Sequence, residues 1–171
     1  MHRFVTSPFR AGLALLLLGL ASVAVGCTGS GIGDPCVPES VPANGFDNRE
    51  VYLETGSVQC RTRVCMVYRL QGDPRQVRDT DSCSDGSDTC VSQEALDQQV
   101  FCSCRCDVPA GDQANTPLCD CGDGFDCVED VVTTGGVGVR GAYCVPCIDP
   151  DNPREPPLDP TVFQECDTGE G

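Results

Sequence analysis

The longest apolar run in the chain is Ala11–Val25 (AGLALLLLGLASVAV), fifteen residues preceded by Arg3 and Arg10. A cationic start followed by such a run is the plan of a secretory signal peptide. A spanning helix needs about 20 apolar residues, so this run is short for a permanent membrane anchor. Further along, Val58–Leu70 alternates. Val58, Cys60, Thr62, Val64, Met66, Tyr68 and Leu70 fall on one side and Gln59, Arg61, Arg63 and Arg69 on the other, which predicts a strand. Gly72-Asp73-Pro74 is expected to stop it. Ser92–Val100 is the one stretch suited to a short helix, with Ser92 as N-cap. Val128–Thr133 and Gly141–Ile148 flank the glycine-rich TTGGVGVRG and predict a hairpin. After Cys147 the chain turns proline-rich (IDPDNPREPPLDP), so an extended or disordered tail is expected, partly tied back by Cys166.

The residues that follow the apolar run sharpen the picture. Ala24-Val25-Gly26-Cys27 resembles the lipobox of bacterial lipoproteins, an apolar residue and two small ones before an obligatory cysteine, with alanine in place of the commoner leucine. The resemblance implies that the Cys27 thiol takes a diacylglycerol and that the chain is cut before it. Thr28 is not the aspartate that resembles an inner-membrane retention signal in enteric bacteria, so the expected location is the outer membrane. The competing reading is an ordinary small-x-small cleavage site with Cys27 left as a thiol. The expected organisation is a signal peptide over residues 1–26, the lipidated Cys27 and a tether over 27–35 with Thr28–Gly33 flexible, a disulfide domain over 36–147, and a proline-rich acidic tail over 148–171.

Composition then decides what can hold the body together. The chain has eleven arginines and no lysine; two arginines precede Cys27, leaving nine against 26 Asp plus Glu, a net charge of −17 after cleavage. So acidic a surface taken as a whole repels nucleic-acid phosphates and anionic lipid headgroups, since both need clustered cations, and nucleic-acid binding is excluded. Leu, Ile, Val and Phe make up only 28 of the 145 residues from Cys27 on, a thin core for so charged a chain. The same region carries 15 cysteines, the mark of an exported disulfide scaffold. Parity agrees with the lipobox: without Cys27, fourteen remain, Cys36, Cys60, Cys65, Cys83, Cys90, Cys102, Cys104, Cys106, Cys119, Cys121, Cys127, Cys144, Cys147 and Cys166, enough for seven bridges with none over. Cys60 and Cys65 are not expected to pair, since residues five apart in a strand are too distant. CSCRC and CDCGDGFDC look like two related knots. The fold class expected is a small, disulfide-rich, mainly β domain of short strands and hairpins with at most one short helix.

Candidate chemistry is sparse. His2 is the only histidine and lies in the signal peptide, and lysine is absent, so the common nucleophilic and His-ligand machineries are missing. Cys144-Val145-Pro146-Cys147 matches the CxxC of thiol-disulfide oxidoreductases, but Pro150 and Pro153 forbid the helix that would lower the first thiol's pKa. A structural bridging role follows, with an envelope oxidoreductase as the rival reading. Ile148 stands where haem attachment needs a histidine. Export favours disulfides over a metal-thiolate site. Gly136–Gly141 fits GxGxxG by letter but lacks the following helix, and reads as a turn. Asp79, Asp81, Asp85 and Asp88, and separately Asp120, Asp123 and Asp126, are dense enough to be candidate Ca²⁺ ligands, although neither run fits an EF-hand. A solvated acidic loop is the plainer alternative.

Cys119-Asp-Cys121-Gly-Asp-Gly124-Phe125 resembles the closing part of EGF-like modules, but Cys127 arrives too early for that family's last loop, which marks a convergent knot. SVQCRTRVCMVY, FCSCRCD, GFDC and GAYCV resemble segments of cysteine-rich lipoproteins of myxobacteria over about Ser57–Cys147. That likeness carries no known activity with it; the membrane partner is expected through the lipid on Cys27. The expectation is a non-catalytic, lipid-anchored structural or binding module of the cell envelope that meets an envelope or extracellular protein. A calcium-dependent adhesion module is the alternative.

Overall fold

A computed structural model describes residues 31–83, 87–115, 117–151 and 157–167. The fold is mainly β: β1 Val51–Thr55, β2 Val64–Tyr68, β3 Asp73–Val77, β4 Cys90–Val91, α1 Gln93–Gln99, β5 Val100–Ser103, β6 Arg105–Asp107, β7 Phe125–Val132 and β8 Gly141–Pro146. Antiparallel β1-β2-β5 forms one sheet, β6-β8-β7 a second, and β3 with β4 a short parallel pair. β5 and β6 are separated only by Cys104, where the strand changes partner from β2 to β8. Ser103 Oγ donating to Cys144 O and Cys144 N donating to Cys104 O join the two sheets at that corner.

β2 lies at the centre because both of its faces are covered. Cys65 and Val67 point into one core with Cys36, Phe46, Leu70, Val91, Val100 and Cys102, capped by Ala95 and Leu96 of α1. Met66 and Tyr68 point into another with Phe101, Tyr143, Val145, Leu158 and Phe163. The strand is therefore not polar on one side as its alternation suggested. Its first half is also not a strand: residues 56–63 form a turn in which Gly56 N and Ser57 N both donate to Arg63 O, and Arg63 takes φ 64°.

The helix and the hairpin appear as expected. Ser92 Oγ accepts from Ala95 N at 3.0 Å, one of the amide donors that the first helical turn leaves without an intrahelical partner. β7 and β8 pair antiparallel around the glycine-rich loop, Cys127 opposite Cys144. Gly141 opens β8 at φ 141°, where a Cβ would lie 2.4 Å from Asp107 O, so β6 can approach only a glycine. Buried Arg105 fixes the loop, its Nη1 donating to Val137 O at 2.7 Å, and Arg140 forms an ion pair with Asp112 at 2.8 Å.

Gly72-Asp73-Pro74 ends β2's excursion, as expected, but then starts β3. Asp73 is buried, and its carboxylate accepts from Arg75 N, Nε and Nη2. Those hydrogen bonds from Arg75 hold Asp73 below the ordinary carboxylate range.

The segments that flank the sheets, residues 33–35 and 157–167, belong to the body more than composition suggested. Gly33 N donates to Cys102 O, Cys102 N to Asp34 O, and Pro35 pairs with Phe101, so residues 33–35 form an extra edge beside β5. At the other end, Leu158 and Phe163 are buried, Phe163 stacks on Tyr68 at 5.8 Å between ring centroids, and Gln98 bonds Pro157 O and Asp159 N. Ile148 pairs with Glu165, and Cys147 bonds Cys166. Residues 157–167 are packed against the body through Leu158 and Phe163, whereas residues 152–156 of the expected tail lie outside the described residues.

Candidate functional site

The fourteen cysteines after Cys27 form seven disulfides: Cys36–Cys65, Cys60–Cys102, Cys83–Cys90, Cys104–Cys119, Cys106–Cys127, Cys121–Cys144 and Cys147–Cys166. Cys60 and Cys65 do not pair, as expected, although the reason differs: Cys60 sits in the turn before β2, and its sulfur faces β5. The two cysteine-dense segments are not separate knots. Cys104 and Cys106 reach across to Cys119 and Cys127, and Cys121 to β8, so the clusters are stitched to one another and to the second sheet.

The bridges gather in groups. Cys36 Sγ lies within 4.8 Å of both sulfurs of Cys60–Cys102, as Cys121 Sγ does of those of Cys106–Cys127. Cys119 Sγ touches Cys144 Sγ at 3.7 Å, which adds Cys104–Cys119 to the second group. These are the places where sulfur density resembles a metal centre, yet every sulfur there is bonded to another. A disulfide sulfur lacks the thiolate charge that zinc or an iron-sulfur cluster takes as ligand.

Cys144 and Cys147 are not joined to each other. One is tied to Cys121 inside β8 and the other to Cys166, and both are buried. The CxxC spacing therefore forms no dithiol-disulfide unit in this structure. No helix starts there among the described residues either; the chain runs from β8 into the bridge of Ile148 with Glu165.

Of the candidate calcium ligands, Asp85 lies outside the described residues. Asp79 and Asp81 are exposed in the turn after β3, Asp79 at φ 62°, and Asp88 is exposed beside Arg69 and Arg78 in a cleft of about 290 Å³. None of the three belongs to a convergent group of ligand atoms among the described residues. In the second acidic run Asp120 and Asp123 are exposed, while the Asp126 carboxylate accepts from Asp167 N at 2.9 Å beside the Cys147–Cys166 bridge. A separate acidic cleft of about 400 Å³, lined by Asp107, Glu129 and Asp130, opens where β6 meets β8. Spacing had not singled out its carboxylates, because they come from β6 and β7 and meet only through the sheet.

Beyond the bridges, the surface feature with the clearest construction is the 56–63 turn. Gln59 locks it to Val37, its Oε1 accepting from Val37 N at 3.1 Å and its Nε2 donating to Val37 O at 2.7 Å. Val58 and Val37 are left 74% and 61% exposed beside exposed Arg61 and Arg63. No helix among the described residues is long and apolar enough to cross a membrane. No protein-family profile, curated protein or solved structure matches this chain.

Proposed function

We propose that this is a lipid-anchored protein of the outer membrane, held through acylated Cys27, whose disulfide-stapled body serves as a non-catalytic structural or binding module of the envelope. The observation that supports this best is the pairing of all fourteen later cysteines with one another, which leaves none of them to pair with Cys27. It stands after an apolar run and two small residues, where the lipobox places its acylated cysteine. Seven bridges also suit an oxidising compartment.

The non-catalytic reading rests on chemistry. From Cys27 on there is neither histidine nor lysine, and the CxxC cysteines are each committed to a different partner. What remains is an acidic, covalently braced surface suited to contact. An intact mass of the protein extracted from membranes tests the anchor: the expected chain begins at Cys27 and carries two or three acyl chains. A chain that begins at Cys27 without lipid, or one that keeps residues 1–26, overturns it. Failure to reduce a model disulfide in the presence of a thiol donor is the expected outcome for the body, and turnover would restore the oxidoreductase.

A further inference from the structure

We propose that the turn over residues 56–63, together with Val37, docks the body onto the phospholipid headgroup layer of the membrane that holds its anchor; this rests on the lipidation of Cys27. The register of the first sheet carries the argument. Thr55 pairs with Val64 and Val64 with Ser103, while Gly33 N donates to Cys102 O. Thr55, Val64, Ser103 and Gly33 therefore lie at one end of the sheet. The chain that arrives from Cys27 enters at that end, and the 56–63 turn closes it.

The reach is short. Pairing with β5 begins at Gly33, and Gly31 is already held by the Asp34 carboxylate, so only residues 28–30 separate the body from Cys27. Four Cα–Cα steps of about 3.8 Å span at most about 15 Å. The headgroup region of one leaflet is itself about 5–8 Å deep. An acylated Cys27 therefore keeps this end of the body within about 10 Å of the headgroup layer even with the tether fully extended, and any shorter arrangement brings the two into contact.

What stands at that end fits a lipid surface. Val58 and Val37 are the two most exposed large apolar residues described, and Gln59 clamps them side by side. Exposed Arg61 and Arg63 flank them in a body of strong negative charge, offering guanidinium groups to lipid phosphates. Among the carboxylates of this region, Asp34 and Glu54 are engaged by the backbone amides of Gly31 and Glu39, while the Glu39 side chain is exposed. Apolar tips with adjacent arginines can enter the interfacial layer, where snorkelling side chains place charge among headgroups and stem in the acyl boundary.

The absence of tryptophan allows a direct test. Native acylated protein carrying Val58→Trp, and separately Asn48→Trp, is reconstituted into phosphatidylethanolamine and phosphatidylglycerol vesicles containing brominated lipid. Asn48 is exposed just before β1, at the opposite end of the sheet. Both variants carry the same intrinsic preference of tryptophan for the interface, so a difference reports the orientation. The expected result is blue-shifted, bromine-quenched emission for V58W and unshifted, unquenched emission for N48W, with quenching of V58W reduced by Arg61→Glu and Arg63→Glu together. Slower amide exchange over 57–63 in wild-type vesicles than in detergent is expected as well. Protein that has no acyl chain and stays out of the vesicles overturns the anchor and the docking with it. Anchored protein in which V58W is quenched no more than N48W, and in which exchange over 57–63 is unchanged, overturns the docking alone.

Discussion

Replacing Phe163 by alanine tests whether the proline-rich C-terminal segment is structural. Phe163 is 4% exposed, stacked on Tyr68 of the central strand and gathered with Met66, Phe101, Tyr143 and Leu158. Truncating a buried phenylalanine costs about 3–5 kcal/mol through lost transfer energy and the cavity left behind. The ring pair adds about 0.5–1.5 kcal/mol beyond its area. Cys147–Cys166 holds the segment nearby whatever residue occupies 163, so partial collapse of the cavity is expected and the loss should lie near the lower limit, about 3 kcal/mol. Urea unfolding under non-reducing conditions measures it, with Val137→Ala, at a 41% exposed position, as the control expected within about 0.5 kcal/mol of wild type. A loss below about 1 kcal/mol for Phe163→Ala would refute the reasoning, since only a ring that leaves no cavity behaves so.

Ser92→Ala removes the N-cap of α1 and is expected to lower stability by about 1 kcal/mol in the same assay, whereas Ser92→Asp should be nearly neutral. Asp73 is depressed in the folded state by its hydrogen bonds from Arg75, so its contribution is full above the ordinary carboxylate value of about 3.9 and is lost as pH falls through the lower folded value. Asp73→Asn is therefore expected to be less stable than wild type at neutral pH, the gap closing in acid; a gap constant with pH would remove the linkage. Tyr143 is raised by burial, so the opposite sign holds: the stability it gives is full below about 10 and is lost as pH rises through its higher folded value, seen as a delayed tyrosinate absorbance. Peptide mapping without reduction should recover Cys36–Cys65 and Cys60–Cys102, and recovery of Cys60–Cys65 or Cys144–Cys147 would show the first sheet or the β8 corner to be wrong.

Local signals were legible where local physics decides. Ser92 before a helix-compatible run and two valine-rich segments around glycines determine their own geometry over a few residues. The Val58–Arg63 alternation misled because a turn continues the same parity: Cys60 is buried by its bond to β5, not by a pleat, and the chain turns over Cys60–Arg63, where Arg63 N donates to Cys60 O and Arg63 takes a positive φ. Asp73-Pro74 reads as a stop, yet it opens a short strand whose Asp73 carboxylate is occupied by Arg75. Leu158 and the Val162-Phe163 pair are sparse apolar residues in a polar, proline-containing segment, and the core they join is built by Tyr68 and Tyr143 far away in the chain. The 56–63 surface was likewise hidden, because the valine that looked like a core position proved the most exposed of its kind.

The order of the bridges shows what the thin core leaves to covalent closure. Only Cys83–Cys90 and Cys147–Cys166 join cysteines that are neighbours along the chain; the other five enclose or cross another cysteine's path. A chain oxidised from its N-terminus would first meet Cys36 with Cys60, a pair that the structure splits between β2 and β5. The correct partners come together only once β2 lies between β1 and β5 with its register set, Cys65 opposite Cys102. Apolar pairing of the central strand must therefore precede or correct the chemistry, through exchange by a thiolate on a wrong disulfide. The small core selects which sulfurs meet, and the bridges then hold a surface too acidic, and a core too thin, to stay closed by burial alone.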